Sequence, residues 1–234
     1  AGTPVLSAAG HFDASAKTYT LTFTQSCLST PDQAHKEPFV LPVLLGLLSL
    51  DGTPLPLQVA GKHVGAEHLF VMSQASASIT FENLEAQPVP SILRGFSAPV
   101  QLSWDYSDAE LLTLLANDSD AFNRWEAGQR LVLRSAVRAL TSPDAAPERL
   151  LDTAVVDALR QVLRHPQLDA AFKELVLTLP SETYIAEQLA VVDPQRIHAV
   201  RESLRAQLAG DLQADWRWAF ETHSDNGGYS PDAL

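Results

Sequence analysis

From Lys17 to Gln25 apolar and polar residues alternate, with Tyr19, Leu21 and Phe23 on one face and Thr18, Thr20, Thr22 and Thr24 on the other. A period of two predicts a half-buried strand. Phe39 to Leu50 is a longer apolar run, interrupted by Pro42 and Gly46 and closed by Asp51-Gly52. It predicts a buried strand with a bulge or bend, ending in a hairpin turn. Further strands are expected at His68 to Ser73, Ser76 to Leu84, Ile92 to Phe96 and Val100 to Trp104. Short strands at this spacing, joined by turn residues, predict an antiparallel β-sandwich.

Near residue 105 the period changes to 3.6. Ser107-Asp108-Ala109-Glu110 forms a capping box, in which the Ser hydroxyl and the Glu carboxylate satisfy each other's orphan backbone donors. Asp118-Ser119-Asp120 begins a second helix, with Phe122, Trp125, Leu133, Ala136, Val137 and Leu140 expected on its inner face. Pro147 opens a helix through Leu151, Val155, Leu159 and Val162, ended by His165-Pro166. A short helix runs from Asp169 towards Pro180, and another follows Ser181. Asp193 caps the expected longest helix, with Pro194 as its first residue and one apolar stripe through Ile197, Val200, Leu204, Leu208, Leu212, Trp216, Ala219 and Phe220. Trp218 falls off that stripe, which predicts an exposed aromatic and a docking contact. Amphipathic helices joined by brief Pro-bearing turns predict antiparallel pairs stacked in series, solenoid-like. The domains expected are therefore a sandwich over residues 1–105 and a helical array over 106–234.

Composition narrows the chemistry. Sixteen Lys+Arg stand against 28 Asp+Glu, a net charge of −12. That balance argues against general affinity for nucleic acid, which needs clustered Lys and Arg. No apolar run approaches the roughly 18 residues needed to span a bilayer, so no membrane partner is expected. The single cysteine, Cys27, excludes a disulfide within the chain and any multi-cysteine zinc knuckle.

Glycine-rich phosphate loops, dinucleotide fingerprints and nucleophile elbows are absent, and Gly227-Gly228 reads as a loop. None of the seven histidines has a partner four residues away, the spacing that puts two imidazoles on one helical face. His63 and His68, five apart, are expected as surface loop histidines. Cys27 has no base nearby in sequence and is expected as a half-buried, unreactive thiol. Asn117, Asp118 and Asp120 lack the glycine and distal glutamate of a calcium loop, so capping is their expected role. Ser230-Pro231-Asp232-Ala233-Leu234 has the pattern of a helix start, and a chain ending there is expected to be a piece of a longer polypeptide.

Several stretches carry a more specific signal. Ile79-Thr80-Phe81-Glu82-Asn83-Leu84, Gln87-Pro88-Val89-Pro90-Ser91 and Leu93-Arg94-Gly95-Phe96-Ser97-Ala98-Pro99-Val100 cluster at the junction. Ala116-Asn117-Asp118 and Phe122-Asn123-Arg124-Trp125-Glu126-Ala127-Gly128-Gln129 follow, with Thr30 to Ala34, the run after Pro38 and Leu177 to Ser181 elsewhere. Their order and spacing resemble the bacterial aminopeptidase N family of zinc metallopeptidases over essentially the whole chain.

The resemblance implies that residues 1 to about 105 form the third, β-sandwich domain of a four-domain parent and that the rest opens its C-terminal helical domain. The family's H-E-x-x-H motif, downstream glutamate ligand, G-A-M-E-N loop and catalytic tyrosine have no counterpart here. No catalytic, cofactor-binding or metal-ligating residue is therefore assigned to this chain. Zinc belongs to the parent, and the chain alone is expected to be inactive. The expected partners are the catalytic domain and remaining helical domain of the same polypeptide and, for the parent, peptide substrates. Self-association of the chain and a cytoplasmic location are also expected. The alternative is an independent sandwich and helical module that binds a protein or glycan.

Overall fold

In a computed structural model describing residues 2–31, 33–142 and 149–224, the Thr-rich alternation becomes a strand buried on one face only. Its sheet has the order β7 (Ser76–Phe81), β2 (Thr18–Ser26), β1 (Val5–Asp13), β9 (Gln101–Ser103). The second sheet has the order β6 (Glu67–Met72), β3 (Leu41–Leu48), β8 (Val89–Ile92), and short β4 (Leu57–Val59) pairs with β5 (Lys62–Gly65). Strand pairing is antiparallel except between β1 and β9, which run parallel.

Tyr19, Leu21 and Phe23 from the first sheet and Leu41, Val43, Leu45 and Ile92 from the second enter one buried cluster. The rings of Phe23 and Phe70 stack across it at 5.7 Å. Each fully buried large apolar side chain contributes about 1.5–3 kcal/mol, so this cluster is what holds the two sheets together. On the outward face of β2, Thr20 and Thr22 pair by their hydroxyls with Thr80 and Ser78 at 2.9 Å.

Strand β1 escapes a reading by alternation because Ser7-Ala8-Ala9-Gly10 offers no apolar period. Its small residues serve close approach instead. A Cβ on Gly10 would lie 2.1 Å from the Tyr19 hydroxyl and 2.8 Å from the Trp104 ring. The run expected from Phe39 to Leu50 narrows to β3, whose register continues unbroken through Gly46 without a bulge. Pro42 is tolerated there because β8 pairs only with Leu45 to Leu48, leaving the Pro42 end of β3 locally at an edge. The Asp51-Gly52 turn forms, but its return is a single bridge, Leu48 to Pro54, rather than a hairpin.

A larger correction concerns Ile92 to Phe96, expected as a strand. The strand is β8 and ends at Ile92; a tight turn with one 3-10 segment, Arg94–Phe96, follows. Leu93, Gly95 and Phe96 all take left-handed backbone conformations, at φ 61°, 60° and 52°. That reverses the chain too sharply for pairing and drives Arg94 inward.

The structure divides into two compact units, residues 1–128 and 129–234. Helix α1 (Asp108–Asn117) begins with the predicted capping box, both halves of which are made. Helix α2 (Ala121–Thr141) starts after Asp118-Ser119-Asp120, but its buried face is rotated from expectation. Asn123, Arg124, Ala127, Leu131, Val132, Ser135, Ala136 and Leu140 are buried, whereas Phe122, Trp125, Leu133 and Val137 are half-buried. Phe122 instead stacks at 5.1 Å on Phe96 and 5.8 Å on Trp125.

In the second unit, α3 (Thr153–Arg164), α4 (Ala170–Leu177), α5 (Glu182–Ala186), α6 (Pro194–Asp211) and α7 (Gln213–His223) follow. Asp193 caps α6 as expected, and Asp169 and Ser181, where the two short helices were expected to start, cap α4 and α5. The helix expected from Pro147 begins later, at Thr153; Pro147 itself lies outside the described residues. Leu151 is buried ahead of that helix, with its backbone N–H and C=O both bonded to the Gln207 side chain.

The single long helix expected after Asp193 is two helices, interrupted at Leu212 (φ −108°, ψ 18°), and α2 is longer than either. The break rotates the stripe. Asp215 turns inward, where Arg160 Nε donates to it at 3.0 Å and Arg164 Nε at 2.7 Å. Trp218, expected to be exposed, is half-buried with the Arg164 guanidinium 4.3 Å over its ring. Phe220, expected in the core, is 75% exposed. The segments Ser230 to Leu234 and Gly227-Gly228 lie outside the described residues.

Burial alone would push the Asp215 carboxyl up, but hydrogen bonds from Arg164 and Arg160, and their charge, hold it below the ordinary carboxylate value. A depressed native pKa contributes stability that is present above the unfolded value and lost as pH falls through the native one. Asp215→Asn is therefore expected to cost about 1–3 kcal/mol at neutral pH by denaturant unfolding. The gap to the unmodified chain should close below about pH 4, as the native carboxylate is protonated.

Candidate functional site

The most concentrated polar chemistry in the described residues lies on the outer face of the smaller sheet, within the first unit. Strands β6, β3 and β8 place Glu67, Gly46 and Ser91 side by side in register. Arg94, thrown inward by the left-handed turn, lies across this row. Gly46 makes the room: a Cβ there would meet Arg94 Nη1 at 3.0 Å, Cδ at 3.1 Å and Cζ at 3.3 Å. The glycine is a seat for a guanidinium, not a bend.

Arg94 is 5% exposed and every nitrogen of its guanidinium donates. Nε bonds Glu67 Oε1 at 2.7 Å, Nη1 bonds Asp118 Oδ1 at 2.7 Å and Ser91 Oγ at 2.8 Å, and Nη2 bonds Ser119 Oγ at 2.7 Å. Ser91 Oγ also accepts from Asn123 Nδ2 at 2.7 Å and donates to Asp118 Oδ2 at 2.7 Å. Arg124 Nε and Nη2 both donate to the Asp118 carbonyl, at 2.9 and 2.6 Å. Asp120 accepts from the backbone N–H of Gly95 and of Asn123, each within 2.8 Å, so it ties the turn to the start of α2.

Burial works against the Arg94 charge, but Asp118 and Glu67 more than restore it, and its pKa is raised. At Arg124 burial dominates and the pKa is lowered, with Asp118 offsetting only part. A cavity of about 380 Å³ opens beside this cluster, lined by Gly46, Pro54, Glu67, Arg94, Asp118 and Ser119. The Arg94 guanidinium is fully bonded, while Arg124 Nη1 is buried without a partner among the described residues; with Asp118 and Ser91 committed to these contacts, the cluster is a structural clamp.

Sequence reasoning assigned Asn117, Asp118 and Asp120 to capping. Asp120 does cap α2, but Asp118 is a buried counter-ion, a role no local pattern signals. The stretches Leu93 to Val100, Ala116 to Asp118 and Phe122 to Gln129 meet here through Arg94, Asp118 and Asn123. Cys27 is half-buried, its thiol 3.7 Å from the Leu28 carbonyl. His63 is exposed on β5 and His68 half-buried on β6.

Zinc is the metal the family resemblance implies, and the residues here do not fit it. Among the described residues no three His, Cys, Asp or Glu side chains come together to hold a metal ion. No step of a zinc reaction is therefore derived from this chain. No helix among them is long and apolar enough to cross a membrane.

With a sandwich and a helical array in place, comparison with known proteins identifies the class. The chain belongs to the family described as Domain of unknown function (DUF3458_C) ARM repeats, whose model matches residues 108–234. Residues 2–105 match the model described as Domain of unknown function (DUF3458) Ig-like fold. The relatives are bacterial aminopeptidases N. The chain is 35% identical over 211 residues to Aminopeptidase N of Escherichia coli, covering 90% of this chain and 24% of that protein. It is 32% identical over 215 residues to Aminopeptidase N of Haemophilus influenzae, covering 92% and 24%. For Aminopeptidase N of Caulobacter vibrioides the identity is 37% over 189 residues, covering 81% and 20%. The chain thus spans about a quarter of the length of these relatives and is homologous to a segment of them. A crystal structure of Legionella pneumophila aminopeptidase A in complex with aspartic acid shares the fold, with a TM-score of 0.77 at 23% identity, over 99% of this chain and 25% of that one.

Removing Arg94 leaves Asp118 buried without its partner, so Arg94→Met is expected to cost about 3–5 kcal/mol in chemical unfolding of the first unit. Gly46→Ala, which crowds the guanidinium without removing it, should cost about 1–3 kcal/mol.

Proposed function

We propose that this chain is the non-catalytic scaffold, and part of the helical lid, of a zinc-dependent aminopeptidase that removes N-terminal amino acids from peptides. The observation that carries this reading is the match to aminopeptidase N along 90% of the chain but only 24% of the relative.

In this reading the sandwich is a rigid spacer, its turn and first helices locked by the Arg94 clamp. The helix pairs close over the reaction centre and limit entry to peptides and unfolded ends. The partners are the catalytic domain and the remaining helical domain of the same polypeptide. The location is cytoplasmic; a lone thiol, with no disulfide available within the chain, suits a reducing compartment. Self-association of the isolated chain remains part of the reading, carried by the exposed Phe220 ring rather than by Trp218.

Purified chain should release no chromophore from amino-acid p-nitroanilides above the buffer rate and should hold zinc far below one equivalent by elemental analysis. Chelator-sensitive turnover by the chain alone would overturn the proposal. Sedimentation should show concentration-dependent association that Phe220→Ser reduces.

A further inference from the structure

Lys173, on α4, is 4% exposed, yet no hydrogen bond or ion pair among the described residues engages its ammonium. Its one aromatic contact is the Trp218 ring, 5.7 Å away, which Arg164 shares. The Asp215 carboxylate of α7 is engaged by Arg160 and Arg164. An ammonium with no protein acceptor, on a side chain otherwise buried, is available to an anionic ligand.

Lys173 lines a cavity of about 330 Å³ whose walls include Leu163, Leu177 and the Trp216 indole. Trp216 Nε1 is bonded to the Leu208 carbonyl at 3.2 Å, so its polar end is satisfied and its ring serves as wall. Glu174, the next residue on α4, also lines the cavity but is exposed, and its carboxylate accepts only from Thr178 Oγ1 at 3.0 Å. One positive group on a mostly buried side chain, one exposed negative group and apolar walls therefore share one small space.

We infer that this cavity binds a free α-amino acid with a large apolar side chain. The carboxylate meets the Lys173 ammonium, the α-ammonium meets Glu174, and the side chain packs against Leu163, Leu177 and Trp216. The volume lies at the small end of ligand cavities, which suits one amino acid rather than a peptide. The inference rests on the geometry of α3, α4 and α7 and is independent of the activity proposed above.

The test titrates the full chain with L-phenylalanine, 3-phenylpropionate and phenethylamine, read by tryptophan fluorescence and by amide chemical shifts. L-Phenylalanine should bind saturably at one site, with shifts centred on α4 and α7. Phenethylamine, lacking the carboxylate, should bind about tenfold more weakly or worse, because it forfeits the charge-assisted bond to Lys173. Lys173→Met, which keeps the apolar stem, should weaken L-phenylalanine by a similar factor, and Lys173→Arg should restore part of it. Glu174→Gln, an exposed change, should remove the preference for L-phenylalanine over 3-phenylpropionate. No saturable binding, or phenethylamine binding as well as L-phenylalanine, would overturn the inference. Should Lys173→Met not fold, the three ligands on the unmodified chain and on Glu174→Gln decide it.

Discussion

The first unit depends on a buried positive charge. Taking the Arg94 guanidinium out of water costs several kcal/mol, and only a complete set of acceptors makes that tolerable. The set comes from three separate places: Glu67 on β6, Ser91 on β8, and Asp118 and Ser119 at the corner between α1 and α2. None of these can shift by an ångström without leaving a donor unpaired. The pair thus specifies the corner's position as much as it stabilises it. Gly46 is the condition for all of it, since any side chain there would occupy the space the guanidinium fills.

The second unit uses the same device more openly. Asp215 collects Arg160 and Arg164 from α3 onto the first turn of α7, and the chain breaks at Leu212 to bring it there. Continuing α6 straight would have carried Asp215 elsewhere and kept Phe220 on the apolar stripe. The ion pairs, together with the stacking of Arg164 on Trp218, favour the broken path. Phe220 is left in solvent as the consequence.

In both units the charged side chains serve to position neighbouring elements. Lys173 differs: its side chain is mostly buried, and the only contact of its ammonium among the described residues is the Trp218 ring. The chain spans about a quarter of the length of its Escherichia coli and Haemophilus influenzae relatives.

Much of the architecture was legible in the sequence because it rests on local rules. The period of two from Tyr19 to Phe23, the capping box at Ser107, and the caps at Asp169, Ser181 and Asp193 depend only on neighbours a few residues away. The same is true of the change from strands to helices. What stayed hidden was non-local. Strand β1 has no apolar period and is held by pairing with β2. Ile92 to Phe96 looks extended until Arg94 is drawn inward. Asp118 resembles a cap until its partner arrives from 24 residues earlier. The break at Leu212 reflects salt bridges to α3 that no helical wheel contains. Periodicity records which face of an element prefers to leave water. Which buried charges meet across elements is an energy of pairs, and it exists only once the chain has folded.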